Sequence, residues 1–524
     1  MNVSNSKSFV AWLALGCVAT LVFGCSQASK ESAMSEKSVR SNDQLLIPGG
    51  ALPLESREAY DAIEENAFFQ TLAQPQSTFS IDVDTASYSN VRRLIRSGVK
   101  PPKGAVRLEE LVNYFPYEYK EPEGDSPFSV ATEIAKCPWE TDHQLMRVSL
   151  RGRSIGSENR KPCNIVFLLD VSGSMQSPDK LPLVKSALKM LVGELKPEDR
   201  IAMTVYAGGS GLVLDSTPIQ QSQKILAALD GLEAGGSTNG GAGIQLAYKV
   251  AQANRIDGGV NRVILCTDGD FNVGVSSDSA LVDLIQTEAK KGVFLSVLGF
   301  GQGNIRDSTM EKLADKGNGN YAFIDSMLEA RKVLVDQVGG TLVTIAKDVK
   351  IQVDFNPNHI SAYRLLGYEN RKLENQDFRD DKKDAGEIGA GHTVTAFYEL
   401  VPVGVKTPNG SNRSSEFVDQ KPSPASASDT MLTVNLRYKQ PDSESSREFQ
   451  VRVVMGSEVK PASTDFQFAS SVLVYGMLLR DSQYAGKANW NWVISTAQES
   501  LGKDPSGLRS EFVQLAKSAS RMAK

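Results

Sequence analysis

The chain has 524 residues, enough for two to four domains, with 41% apolar and 23% charged residues, the balance of a soluble globular protein. A net charge of −5 argues against nucleic acid as a partner. The three histidines, His143, His359 and His392, lie far apart and leave little material for a His-rich zinc centre or a histidine base, although spacing alone excludes neither.

In chain order, the first segment carries Lys7 and then an almost wholly apolar run from Phe9 to Phe23. The run is short for a membrane span and suits a secretory signal over residues 1–24. Leu21-Val22-Phe23-Gly24-Cys25 resembles a bacterial lipobox. That resemblance implies cleavage before Cys25, diacylglycerol on its thiol, and a lipid anchor. Ser26 rather than an aspartate follows, which by the same resemblance favours the outer membrane, with the protein facing the periplasm. A plain signal peptide cut elsewhere is the alternative. Export places the remaining cysteines in an oxidising compartment. Cys266 lies in an apolar strand and reads as a small core residue. Cys137 and Cys163 either pair or stay as thiols, since spacing does not supply disulfide geometry.

Residues 25–60 hold the anchor cysteine and a Ser/Glu/Lys/Asn/Gln-rich stretch too polar to fold alone, read as a tether. Helical spacing of Ala59, Ile63, Ala67 and Phe68 predicts a short helix beginning near Glu58. A unit over 61–160 follows. Phe79-Ser-Ile-Asp-Val-Asp-Thr85 alternates like a strand. Asp84 or Thr85 is expected to cap a helix through Val91, Leu94 and Ile95, stopped by Gly98 and Pro101-Pro102. A short helix holds Leu108, Leu111 and Val112. Segments 128–135 and 144–151 alternate as paired strands.

From 161 to 338 strands alternate with helices. Ile165–Leu169, Ile201–Tyr206, Val263–Cys266 and Val293–Leu298 are short runs of the kind buried on both faces. Between them Leu181, Val184, Leu188, Leu191 and Leu195 form a helical stripe. Ile225/Leu229/Leu232, Ile244/Ala247/Ala251, Leu281/Leu284/Ile285 and Met310/Leu313/Ala314 form others. The expected fold is α/β, a doubly wound, mostly parallel sheet with helices on both faces. Residues 339–460 return to alternation and suit an antiparallel β unit, with 405–430 as a loop. Residues 461–524 read as helical, with stripes through Phe468, Val472, Tyr475 and Leu479, then Trp490, Val493, Ile494 and Ala497, then Phe512, Leu515 and Ala519.

The chemistry gathers where the first buried strand ends, at Asp170-Val171-Ser172-Gly173-Ser174. Ligands of an open parallel sheet bind beyond the carboxyl ends of its strands. The D-x-S-x-S run resembles the metal-ion-dependent adhesion site of von Willebrand factor type A (VWA) domains. Two further pieces match in family order. Gly236-Ser237-Thr238-Asn239 supplies Thr238, and Cys266-Thr267-Asp268-Gly269, at the end of a third strand, supplies Asp268. Glycines 173, 235, 236, 240 and 241 allow the loops to approach closely. Hydroxyls and carboxylates are hard ligands suited to Mg²⁺, with Ca²⁺ or Mn²⁺ as alternatives, rather than zinc. The resemblance implies Ser172, Ser174 and Thr238 as direct ligands and Asp170 and Asp268 as ligands through water. It further implies one open position, which an Asp or Glu of a protein partner completes. The competing local reading is that Asp170 and the serines only cap the next helix.

Phe79-Ser-Ile-Asp-Val-Asp-Thr-Ala-Ser-Tyr-Ser-Asn-Val-Arg-Arg, Cys137-Pro-Trp139, Gly317-Asn-Gly-Asn-Tyr321 and Leu478-Leu-Arg-Asp-Ser resemble bacterial VWA lipoproteins, whose upstream segment and C-terminal region have no known role. Asp82 and Asp84 read either as a second cation site or as capping carboxylates at a strand-to-helix corner. No G-x-S-x-G, H-E-x-x-H, C-x-x-C or G-x-x-x-x-G-K-[ST] motif is present. The function expected is therefore not enzymatic. It is a lipid-anchored envelope protein that binds a partner or assembles a complex through a cation. A purely structural metal in an envelope protein and a metal-assisted hydrolase are the alternatives.

Overall fold

The computed structural model describes residues 58–237, 240–269, 278–408, 422–456 and 461–523. The signal segment, Cys25 and the tether up to residue 57 lie outside them, as does Thr238. Among the described residues no helix is long and apolar enough to cross a membrane.

The strand Cys163–Asp170 is the centre from which the α/β region grows. All eight of its residues are buried, because helices cover both faces. Ile165, Phe167 and Leu169 join the core on one side, with Val184, Leu188 and Leu191 of the helix Leu181–Glu194. Val166 and Leu168 join the core on the other, with Ile244 and Ala247 of the helix Gly240–Ala253. Each such valine, leucine, isoleucine or phenylalanine side chain contributes about 1.5–3 kcal/mol on burial.

Strands Arg200–Tyr206 and Val260–Thr267 flank the central strand in parallel. Phe294–Phe300 and Tyr321–Ile324 continue the parallel sheet on one side. On the other side the antiparallel strand Ser210–Pro218 closes the sheet. The α/β expectation holds, and this edge strand is an addition. It makes Val260–Thr267 the fourth strand in chain order rather than the third. The strand is half exposed, and the hairpin glycines Gly208 and Gly209 mask its alternation.

The remaining strands form two antiparallel sheets that interleave the segments before and after the α/β region. One sheet runs Phe69–Gln70, Ile360–Leu366, Thr393–Pro402, Gln144–Gly152, Phe128–Lys136. The other runs Lys372–Leu373, Gln76–Ser80, Thr344–Phe355, Thr430–Lys439, Ser446–Val454. Their facing residues, among them Phe79, Val148, Ile351, Tyr398 and Val434, share one core. The segments that read as successive units in sequence are thus woven together, and the described residues belong to one compact unit. The C-terminal helices Thr464–Leu479, Trp490–Glu499 and Leu508–Met522 pack on the helices Ala86–Arg96 and Leu108–Asn113 through Phe115, Phe468, Tyr475 and Phe512.

Two local expectations are overturned. No helix forms near Glu58. The chain there is held from outside: the Ala59 N–H donates to the Ile305 carbonyl at 2.9 Å, and the Asn66 amide donates to the carbonyls of Leu365 and Gly367. Those distant partners outweigh a short stripe that cannot nucleate a helix alone. Nor does Asp84 or Thr85 cap the helix Ala86–Arg96 with its side chain. Asp84 instead accepts the N–H of Tyr321 at 2.8 Å. Cys137, Cys163 and Cys266 are free, buried thiols.

Buried guanidiniums bind the regions together. Arg92 is fully buried and pairs with Glu329 at 2.7 Å and Glu511 at 3.2 Å. Arg107 pairs with Asp307 and Glu311, each at 2.8 Å. Arg371 donates to Asp82 at 3.1 Å, to Asp315 at 2.7 Å and to Glu311 at 3.3 Å.

Candidate functional site

Asp170 is the last residue of the central strand and is wholly buried. Beyond it the chain enters a short 3₁₀ turn, Gly173–Gln176. One oxygen of Asp170 accepts the Ser172 N–H at 2.8 Å, which bends the loop back over its own carboxylate. The hydroxyls of Ser172 and Ser174 then lie 3.0 Å apart. Ser172 is buried and Ser174 is exposed, so the pair reaches from the strand end to the surface.

Two neighbouring loops complete the site. The Gly173 N–H donates to the Gly236 carbonyl at 3.0 Å, and the Gly235 N–H donates to the Val171 carbonyl at 2.7 Å. Gly236 has φ of +87°, a conformation that suits glycine. The loop leading to residue 238 is therefore docked on the serine loop, although Thr238 itself is outside the described residues. The helix that follows lies hard against the sheet at Gly243, where a Cβ would stand 2.8 Å from the Cβ of Tyr206. On the other flank, Thr267 and Asp268 leave the strand Val260–Thr267. The Thr267 hydroxyl lies 3.5 Å from the second oxygen of Asp170, and the Gly269 N–H donates to that hydroxyl at 3.2 Å. Four of the five expected residues, Asp170, Ser172, Ser174 and Asp268, thus meet at the carboxyl edge of the parallel strands.

The electrostatics suit a cation. Burial pushes the Asp170 carboxyl up to about 6; the Ser172 hydroxyl and N–H pull against that, and the charge of Asp268 adds to it. Two buried carboxylates and two hydroxyls are a hard-oxygen donor set, and a divalent cation would offset the repulsion between the two acids. The residues present therefore fit Mg²⁺, Ca²⁺ or Mn²⁺. The capping alternative does not describe the site. Neither the 3₁₀ turn nor the helix Leu181–Glu194 has a side-chain cap, and Asp170 spends its bond on Ser172.

Sequence reasoning missed two members of the site. Lys180 Nζ donates to Asp268 Oδ2 at 2.7 Å, with its side chain 8% exposed. The Asn304 amide donates to the same oxygen at 3.3 Å. No periodicity or motif marks either residue, because each reaches Asp268 only through the tertiary path of its loop.

The second carboxylate group is built differently. Asp82 Oδ1 accepts the Asp84 N–H at 2.8 Å, a turn like that of Asp170 and Ser172. Carboxylate oxygens of Asp82, Asp84 and Glu311 lie within 4.8 Å of one another. Arg371 stands among them, so here the cation is a guanidinium of the chain itself. This is neither the helix cap nor the free cation site that the sequence offered.

Comparison with known proteins agrees with the architecture. The model of the von Willebrand factor type A domain matches residues 164–337, that of von Willebrand factor matches 54–147, and that of "Uncharacterized protein YfbK, C-terminal" matches 340–522. "Uncharacterized protein YfbK" of Escherichia coli (strain K12) is 40% identical over 463 residues, covering 87% of this chain and 80% of the relative. Inter-alpha-trypsin inhibitor heavy chain H3 of Pongo abelii is 28% identical over 262 residues, which cover 46% of this chain but only 29% of that one. A solved structure, von Willebrand factor type A from Catenulispora acidiphila, aligns with 16% identity and a TM-score of 0.42 over 75% of this chain and 91% of its own. A domain of the VWA type points to protein–protein interaction, and such domains often bind a divalent metal.

Proposed function

The chain belongs to the YfbK family of VWA proteins, and from that premise we propose that it captures a protein partner through a divalent cation. Asp170, Ser172, Ser174, Thr238 and Asp268 hold the ion, Mg²⁺ in the first instance. The partner supplies an Asp or Glu to the ion. The anchor is a diacylglyceryl group on Cys25, which fixes the protein to the outer membrane facing the periplasm. The bound ion supplies a positive charge that neutral hydroxyls leave largely unquenched. The chain's own residues supply position: Asp170 bends the serine loop, and the glycine loop docks on it.

The observation that carries this reading is the meeting of Asp170, Ser172, Ser174 and Asp268 at the carboxyl edge of the central sheet. Its test is direct cation binding. Calorimetric titration of the full chain with MnCl₂ or MgCl₂ should give one site. That site should be lost in Asp170→Ala at unchanged circular dichroism. Equal binding by the wild type and the variant would refute it.

A further inference from the structure

Lys180 places a positive charge inside a site whose chemistry calls for a cation. It stands just before the helix Leu181–Glu194, and its carbonyl accepts the Val184 N–H at 2.8 Å, which starts that helix. The ammonium is 2.7 Å from Asp268 Oδ2, and the Asp268 side chain is fully buried. The lysine stem is seated as well as the head. It lies across Gly301, where a Cβ would come within 2.3 Å of Lys180 Cγ. Gly301 has φ of +78°, so the conformation and the space both select glycine there. The lysine is therefore held by packing along its stem and by an ion pair at its tip.

The charges decide what this does. Among the described residues of the site, Asp170 and Asp268 bring two negative charges, and Lys180 offsets one. A divalent ion takes the group to one net positive charge in a largely buried setting, which is costly unless an anion completes it. A partner's carboxylate returns the sum to zero. Without the lysine, the ion alone would neutralise the site and the carboxylate would be in excess.

We propose that Lys180 strengthens the mutual dependence of cation retention and carboxylate capture: its charge weakens the hold on the ion until a carboxylate joins it. The inference rests on the cation-bridge reading above. By linkage, the carboxylate strengthens ion binding by the factor by which the ion strengthens carboxylate binding. A site of this kind keeps a loaded, partner-free state scarce.

The experiment is a Mn²⁺ titration of the full chain by calorimetry, with and without saturating acetate as the carboxylate probe, on wild type, Lys180→Met, Lys180→Gln and Lys180→Arg. In the wild type, acetate should tighten Mn²⁺ binding by about tenfold, and Lys180→Met should bind Mn²⁺ about tenfold more tightly than wild type without acetate. In Lys180→Met the acetate effect should shrink well below the wild-type factor, and Lys180→Arg should keep the wild-type pattern. Thermal melting is a second readout: Mn²⁺ should raise the Tm of Lys180→Met more than that of wild type. Lys180→Gln makes the same test should the methionine variant fold poorly. If Lys180→Met and Lys180→Gln bind Mn²⁺ no more tightly than wild type while Asp170→Ala abolishes binding, the lysine proposal fails and the cation site survives. If wild type does not bind Mn²⁺ with acetate present, both fall.

Discussion

The chain contains two clusters that begin alike and end as opposites. Asp170-Val-Ser172 begins on the last residue of a strand and Asp82-Val-Asp84 lies just after one, and in each the first aspartate accepts the N–H two residues on at 2.8 Å. Around Asp170 the further donors are two hydroxyls, with one lysine on Asp268. Around Asp82 they are more carboxylates, Glu311 and Asp315, with Arg371 among them. A guanidinium presents five N–H groups in a fixed plane, enough to engage several acids at once. Hydroxyls offer neutral oxygens instead. The local motif thus makes a turn of acid and backbone, and residues far away in sequence decide whether a guanidinium of the chain stands among its acids.

The largest effect expected from this contrast is on stability at the arginine cluster. Arg371→Met leaves several carboxylates in a buried space without their shared cation, and should cost about 3–5 kcal/mol in chemical denaturation. Asp170→Ala removes a buried acid that is already disfavoured there, and should cost far less without added cation. If Arg371→Met melted like wild type, the cluster would not be the tie between regions that its contacts describe.

A smaller effect should appear with pH. Burial, followed by the charge of Glu369, pushes the Glu109 carboxyl up to about 8, and its Oε2 is buried without a hydrogen-bond partner among the described residues. The folded state keeps this proton where the unfolded chain has released it. The group therefore costs nothing below about pH 4.5, and its cost grows as pH rises towards 8. Glu109→Gln should match wild type at pH 4 and exceed it by about 1–3 kcal/mol at pH 8.5, measured by urea midpoints. A constant difference across that range would remove Glu109 as the cause. The smallest effect belongs to pairs at the surface. Asp230→Asn breaks the exposed pair with Lys189 and should change stability by less than about 0.5 kcal/mol.

How much of this was legible depends on the range of each interaction. Ile165–Leu169 declared a strand covered on both faces, because five apolar residues in a row leave no polar face. Asp170, Ser172, Ser174 and Asp268 were legible because each lies at a strand end or in the loop that follows. Lys180 was not, since only the fold lays its stem across Gly301. Arg371 was equally invisible: it meets Asp82 across 289 residues. The failed helix near Glu58 has the same origin. Ala59 and Asn66 answer to Ile305, Leu365 and Gly367, none of which a local pattern contains.

In the proposed reading the Asp170 cluster takes a cation from outside, while the Asp82 cluster has Arg371 as its own. A calorimetric Mn²⁺ titration of wild type, Asp170→Ala and Asp82→Asn tests it most directly. One site is expected in wild type, the same site at the same affinity in Asp82→Asn, and none in folded Asp170→Ala. Binding that survives in Asp170→Ala and disappears in Asp82→Asn would contradict it.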